Sequence, residues 1–260
     1  MTGPMIFSRE YDAHLRTLEA LSWWNAGMRD VAKLLLARSH LPRGGRVLDV
    51  GCGSGLTLSW FHALWPGWTG TGIDVSPEAL RSAGERGEMV CQASALTLPF
   101  PDRSFDAVLC LDVLQHLPLD GGDVAALREI RRVLPVGGTL LLRTNAQSFP
   151  RVADDPRHDF HKYSAGELRG KLAATGFEVL RAGRLNALLG LAEIPRELRA
   201  HRAAGDGYVG HLGRVPKPGV ASWLKRRWLR TEGALVARGL SLPLGRTLLA
   251  LARAAPDPGS

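Results

Sequence analysis

The sequence predicts an α/β fold with a doubly wound, mostly parallel sheet. Three observations carry that expectation. An apolar, β-branched run, Val47-Leu48-Asp49-Val50, ends in the glycine-rich turn Gly51-Cys52-Gly53-Ser54-Gly55 and feeds a helical stretch over Leu56–Trp65. Strand-like and helical runs then alternate along the chain, as βαβ units require. At 260 residues, 45% apolar and 22% charged, the chain is long enough for a sizeable core and ordinary in composition for a globular protein.

The glycine turn defines what binds. A dinucleotide fingerprint, G-x-G-x-x-G, would need a third glycine at position 56, where Leu56 stands. Asp49 precedes the first glycine and would repel a pyrophosphate, but it suits a ligand carrying a cationic amine. Gly70-Thr71-Gly72-Ile73-Asp74-Val75-Ser76 reads as the second strand, with Asp74 at its C-terminal end. A carboxylate there takes the two hydroxyls of a ribose. A ligand with an amine, a ribose and no phosphate satisfies both acids, and S-adenosylmethionine is such a ligand.

Four segments in order then show a resemblance: VLDVGCGSG, GIDVS, LPFPDRSFDAVLCLDVLQHL and LPVGGTLLLRTN. Together they resemble the class I S-adenosylmethionine-dependent methyltransferases, most closely the small-molecule branch that carries LPFPDxSFD. The resemblance covers roughly residues 45–184 and the last strand. It implies a Rossmann-like seven-stranded sheet with an antiparallel last strand. It also implies a cofactor site of Asp49, Gly51, Cys52, Gly53, Asp74, Val75, Ser94, Ala95, Leu96 and Leu111. Ser94 stands where the family commonly has an acid against the adenine.

Taken in order, residues 1–40 read as an N-terminal helical lid, with Leu15, Leu18, Leu21, Trp24, Met28, Val31 and Leu35 at helical spacing and a break expected near Asn25-Ala26-Gly27. In the resembled family such a helix covers the cofactor mouth, so Tyr11, Trp23, Trp24 or Arg29 are lid candidates. Residues 41–184 form the cofactor-binding core. Ser76-Pro77-Glu78 opens a helix with a capping serine, and Ser164-Ala165-Gly166-Glu167 is a capping box. Strand three is expected at 88–92, strand four at Phe105–Leu111, strand five at Thr139–Thr144 and strand six at Phe177–Arg184. A long polar loop, Asn145–Tyr163, follows strand five and carries Asp154, Asp155, His158, Asp159, His161 and Tyr163. It lacks a helical H-x-x-x-H pair, so no metal site is expected. By resemblance it faces the acceptor. His116, His158 and His161 are the candidate general bases, with Tyr163 as a positioning hydroxyl.

Residues 185–244 are an insertion where a hairpin needs about 2–5 residues. The last strand falls at 245–254, and 255–260 reads as a disordered tail. Within the insertion Arg196, Arg199 and Arg202 recur at three-residue spacing. Ala221, Leu224, Trp228 and Leu235 line one face of a further helix, with Lys225, Arg226, Arg227 and Arg230 around the rest. Residues 185–260 hold twelve Lys/Arg against five Asp/Glu, which is +7 of the total net charge of +8. Such a basic amphipathic helix with tryptophans either caps the core or, over 221–238, meets an anionic membrane.

Three cysteines without metal-type spacing, and no leader-like opening, point to the cytoplasm, with peripheral membrane contact as the second expectation. The sequence expectation is a methyltransferase acting on oxygen or carbon of a small-molecule, lipid-linked or glycan acceptor. The segment Leu111-Asp112-Val113-Leu114 replaces the Asn/Asp-Pro-Pro-aromatic run of nucleobase and amide N-methyltransferases, which argues against nucleic acid. The late helical insertion resembles methyltransferases of bacterial lipid, glycan or secondary metabolism. A non-catalytic binding protein using the basic insertion, and a nicotinamide-dependent oxidoreductase, are the alternatives. The oligomeric state is not legible.

Overall fold

A computed structural model describes residues 22–39, 41–147, 161–187 and 219–256. The strands are β1 (Gly45–Val50), β2 (Trp68–Asp74), β3 (Val90–Gln92), β4 (Ala107–Leu111), β5 (Thr139–Asn145), β6 (Phe177–Leu185) and β7 (Thr247–Ala254). They form a seven-stranded sheet in the order β3-β2-β1-β4-β5-β7-β6. Strands β1 to β5 pair in parallel, whereas β7 runs antiparallel to β5 and β6. This is the doubly wound α/β architecture expected from the sequence, with its antiparallel last strand.

Both faces of the sheet are covered, as a parallel sheet requires. Alternate residues of each strand point to opposite faces. On one face Leu48, Val108, Leu140 and Ala250 meet α4 (Gly122–Val133) and α5 (Ala165–Ala174) through Leu127, Ile130, Leu168 and Leu172. On the other, Val47, Leu109, Leu141 and Leu249 meet α1 (Trp23–Leu36), α2 (Leu56–Leu64) and α6 (Val220–Ala237) through Val31, Leu35, Phe61 and Leu229. The remaining helix, α3 (Pro77–Glu85), starts at Ser76, whose side chain accepts the Ala79 N–H. The Ser164–Glu167 capping box is formed at the start of α5.

Helix α2 sits close on β2 because β2 lacks side chains beneath it. A Cβ at Gly70 would lie 2.9 Å from Leu58 Cδ2, and one at Gly72 would lie 2.6 Å from Cys52 Sγ. The glycine turn is thereby pressed against the second strand.

The structure corrects several expectations from the sequence. Helix α1 runs unbroken through Asn25-Ala26-Gly27 and is capped at Ser22. Gly27 serves contact instead: a Cβ there would lie 2.8 Å from Leu229 Cδ2 of α6, and one at Gly233 would lie 2.5 Å from Val31 Cγ2. Small residues on both helices thus let α1 and α6 pack closely. The buried face of α6 is Leu229, Glu232, Gly233, Val236 and Ala237. Ala221, Leu224, Trp228 and Leu235, expected on one face of this helix, all lie outside it, with Ala221, Leu224 and Trp228 exposed. Leu185 belongs to β6, paired with Thr247, rather than to the insertion. Ala255 is anchored rather than loose, since its N–H donates to Gly176 O at 2.9 Å and its carbonyl accepts from Arg131 Nη2 at 2.6 Å. Strands β3 and β4 begin two residues later than expected; the Phe105 N–H goes to Val133 O of α4. Tyr11, the Leu15–Leu21 repeat, and Arg196, Arg199 and Arg202 lie outside the described residues.

Gly72→Val is expected to overpack the contact with Cys52 and to destabilise the fold by about 1–3 kcal/mol. A lower midpoint with an unchanged slope in urea unfolding checks this.

Candidate active site

The C-terminal ends of β1, β2 and β4 meet at one edge of the sheet, and each brings a carboxylate. Asp49 is the penultimate residue of β1 and only 2% exposed. Asp74 closes β2, and Asp112 directly follows β4. Register places Asp49 between Gly72 and Leu109 of the neighbouring strands.

The glycine turn that crosses this edge spends its own amides on the protein. The N–H groups of Gly51 and Cys52 both donate to Ile73 O, at 2.8 and 2.9 Å, and Gly55 N–H donates to Cys52 O at 2.9 Å. Gly53 N–H donates to Asp74 Oδ2 at 2.9 Å, and the other Asp74 oxygen accepts the Ser76 N–H at 2.9 Å. Gly51 has φ +71°, and a Cβ there would lie 2.4 Å from Val113 Cγ2, so both conformation and space demand glycine. A pyrophosphate needs a nest of outward amides. Here four of the turn's amides are committed inward, and the edge is rich in acceptors.

Its charge has the same sign. Burial raises the thiol pKa of Cys52 and Cys110, and Asp49 raises both further, with Asp74 adding at Cys52 and Asp112 at Cys110. Both sulfurs stay protonated at neutral pH. Cys52, expected among the cofactor-binding residues, turns its side chain inward over Gly72, so only its backbone belongs to the turn.

Val75, just past Asp74, is 53% exposed. Ser94 Oγ accepts the Leu96 N–H at 3.2 Å, and Ser94 O accepts the Thr97 N–H at 3.2 Å. The Leu96 amide, expected to edge the adenine, is therefore engaged by Ser94; the Ser94 hydroxyl keeps its proton to donate. Ala95 is buried and Leu96 half-buried on the α4 face, whereas Leu111 packs partly on the opposite face.

The proposed bases and hydroxyl separate clearly. Tyr163 is fully buried, and its hydroxyl donates to Asp123 Oδ2 at 3.0 Å, with Leu114 O a second acceptor 3.3 Å away. Burial, then the Asp123 charge, raises its pKa. Burial alone would raise the Asp123 pKa, but hydrogen bonds from Lys171 and Tyr163 outweigh it and hold the carboxyl below its ordinary value. Tyr163 is therefore a core residue, not a positioning hydroxyl. His161 Nε2 lies 2.7 Å from Glu167 Oε1, the acid of the capping box, and its ring meets Tyr163 edge-on. His116 ends the 3-10 turn Leu114–His116 that follows β4, and the residue keeps an exposed edge. Partial burial lowers its pKa, with Asp112 opposing. His158 lies outside the described residues.

Sequence reasoning missed the stack beside this edge. Arg143 Nε lies 3.0 Å from both Asp112 oxygens, and its guanidinium carbon sits 4.8 Å from the centre of the Trp24 ring. Asp112 is held at φ +62° by this grip and by its N–H, which donates to Arg143 O at 2.9 Å. The signal was present: Arg143 interrupts the apolar run Leu140-Leu141-Leu142 of an interior strand. Gln115, which follows Asp112 at this edge, is buried and accepts from Thr144 Oγ1 and Asn145 N, both at 3.1 Å, tying the 3-10 turn to β5.

Residues 48–142 match the family described as "Methyltransferase domain". Residues 48–142 are thus similar to a methyltransferase domain. The tRNA (carboxymethyluridine(34)-5-O)-methyltransferase of Arabidopsis thaliana is 33% identical over 137 residues, 52% of this chain and 31% of that protein. The ubiquinone biosynthesis O-methyltransferase of Xanthomonas campestris is 39% identical over 116 residues, 42% of this chain and 46% of that protein. The chain thus matches less than half of the length of either relative. Among solved structures, the [4+2]-cyclase SpnF is 25% identical with a TM-score of 0.59, covering 90% of this chain and 83% of that one. The phosphoethanolamine N-methyltransferase 2 of Haemonchus contortus, solved with S-adenosyl-L-methionine, shares the fold at 17% identity and a TM-score of 0.56, covering 90% of this chain and 53% of that one. S-adenosylmethionine is the cofactor of this fold family, and an acceptor-rich, carboxylate-lined edge fits its ammonium and sulfonium.

Tyr163→Phe is expected to cost about 1–3 kcal/mol of stability and to leave cofactor affinity unchanged. Thermal unfolding together with calorimetric titration of S-adenosylmethionine checks both halves.

Proposed function

We propose that the chain transfers the methyl group of S-adenosylmethionine to an oxygen of a small-molecule or lipid-linked acceptor. The observation that carries this reading is the sign of the edge, where the carboxylates of Asp49 and Asp74 meet a turn whose amides face inward and Asp112 is neutralised by Arg143. That arrangement favours a cationic adenosyl ligand over a dinucleotide, which weighs against the nicotinamide alternative. In this reading Asp49 accepts from the cofactor's amine, directly or through water, and the carbonyls of Gly51 and Gly53 extend that acceptor surface. Asp74 takes the ribose hydroxyls on lone pairs left by its two amide bonds. Val75, Ala95 and Leu96 flank the adenine, Ser94 donates to it, and Leu111 lines the methionine end.

The bound cofactor supplies an electrophilic methyl group, so alignment of the acceptor and exclusion of water are the protein's main tasks. An oxygen nucleophile must also lose a proton. His116 stands nearest the carboxylate edge among the described histidines, and its lowered pKa keeps the imidazole neutral near pH 7. Oxygen is favoured over carbon because the names of the Arabidopsis and Xanthomonas relatives both specify O-methylation. Those names also divide between an RNA and a quinone precursor. The acceptor proposed here is the small or lipid-linked one, in keeping with Leu111-Asp112-Val113-Leu114 at the end of β4.

A second reading has one observation behind it. SpnF, which shares the fold, is named a cyclase, so the same architecture hosts a reaction other than methyl transfer. A chain that only binds the cofactor would fit the same edge.

Methyl-labelled cofactor, offered with catechols, a polar lipid extract and total tRNA in parallel, tests the proposal. Label is expected in the catechol or lipid fraction. Label confined to tRNA would overturn the acceptor class, and cofactor binding without label anywhere would support the second reading. His116→Gln is expected to lower kcat by about 10²–10⁴-fold with unchanged cofactor affinity. The wild-type rate should rise with pH as the imidazole loses its proton, with a midpoint below the ordinary histidine value of 6.5. A profile unchanged in His116→Gln would remove this histidine from the reaction.

A further inference from the structure

Helix α6 is apolar on two opposite sides, and the core uses only one. Leu229, Gly233 and Val236 are buried against α1 and the sheet. Val220, Trp223, Leu224 and Trp228 follow at spacings that place them on one side. At 3.6 residues per turn, that side lies roughly half a turn from the buried one. All four are exposed, by 76%, 57%, 52% and 41%. A stripe of this length on one helix exceeds the scattered apolar residues of an ordinary surface.

The charges of the helix are sorted in the same way. Its four cations, Lys225, Arg226, Arg227 and Arg230, are all exposed, whereas its single acid, Glu232, is fully buried. Glu232 accepts from Trp228 Nε1 at 2.7 Å and from the backbone N–H groups of Asn186 and Ala187, so its charge is turned inward onto the end of β6. Arg227 lies over the Trp223 ring at 5.6 Å and Lys225 over the Trp23 ring at 5.5 Å. Arg226 pairs with Asp30 at 2.7 Å, and Arg230 lies 3.9 Å from the same carboxylate. Arg227 thus sits on the apolar stripe, Lys225 beside it over Trp23, and Arg226 and Arg230 turn towards Asp30.

The stripe also stands beside the candidate active site. Helices α1 and α6 run parallel: Gly27 meets Leu229, Val31 meets Gly233, and Arg38 Nη1 bonds Ala237 O at 3.0 Å. This register sets the start of α1 level with Lys225, in the second turn of α6. The first turn of α1 holds Trp23, under Lys225, and Trp24, against Arg143 near the C-terminal end of β5.

We propose that the outward stripe of α6 docks on an anionic lipid bilayer and brings the mouth of the site to the membrane surface. Charge complementarity selects an anionic partner. Tryptophans flanked by aliphatic side chains favour the headgroup boundary of a bilayer. Val220 and Leu224 have no ring to stack on a base, which disfavours RNA as the occupant. Among the described residues no helix is long and apolar enough to cross a membrane, so the contact is made on the surface. The proposal names where the acceptor resides for the activity proposed above, but the docking itself does not depend on methyl transfer.

Co-sedimentation of the full chain with vesicles tests it without an activity assay. The chain is expected to sediment with phosphatidylcholine–phosphatidylglycerol vesicles, weakly with phosphatidylcholine alone, and less as salt is raised. Replacing Lys225 and Arg227 by alanine should weaken binding roughly thirtyfold. Trp223→Ala with Leu224→Ser should abolish it, with circular dichroism and melting temperature unchanged because all four side chains are exposed. Absence of sedimentation with anionic vesicles overturns the proposal. It is overturned equally if the Trp223/Leu224 variant still sediments, if the stripe instead binds tRNA in a fluorescence titration, or if it holds a dimer that the same variant dissociates.

Discussion

The tie between the glycine turn and the second strand is the constraint on which the rest of the site depends. Two amides of the turn converge on Ile73 O, and a third is held by Asp74. This tie fixes the turn against β2, and it is possible only because Gly72 leaves room for Cys52 beneath it. The same bonds remove the donors that would have made the turn an anion cradle. One set of hydrogen bonds therefore sets the shape of the loop and the sign of the ligand it accepts.

Around that turn the edge balances charge locally. Asp49 stays buried between strands, Asp74 is shared with backbone amides, and Asp112 is gripped by Arg143. Arg143 in turn lies on Trp24, so the first helix touches the site through an aromatic face rather than through a loop. Close packing of α1 on α6 around Gly27 and Gly233 then joins the basic helix to the same corner of the molecule. Core packing of α1, its contact with Arg143 and the outward stripe of α6 are consequences of one helix pair.

The architecture was legible because period and punctuation agreed: a strand, a glycine turn and a helix recur, and Ser76 and Ser164 mark helix starts. The two acids at the ends of β1 and β2 were equally legible, since their chemistry depends on position in the strand. Three features were not. Gly27 reads as a helix break in isolation, and its purpose appears only when Leu229, about two hundred residues away in sequence, packs on it. Tyr163 carries the same polar atom whether it faces an acceptor or the core, and only its bond to Asp123 decides. In α6 the apolar residues lie on two sides, so periodicity alone could not decide which packs: Leu229 and Val236 do, and Leu224 and Trp228 stay exposed. Arg143 within β5 and Glu232 within a basic helix were visible as exceptions to their surroundings, but their partners, Asp112 and Asn186, lie far away in sequence.

Calorimetric titration of the full chain with S-adenosylmethionine, S-adenosylhomocysteine and NAD, repeated on Asp49→Asn, tests the central claim most directly. Asparagine keeps the shape of the side chain and removes only its charge. The account predicts binding of both adenosyl ligands, no binding of NAD, and a clear loss of affinity for the amine-bearing ligands in the variant. Comparable binding of NAD, or adenosyl affinities that ignore the charge of Asp49, would contradict it.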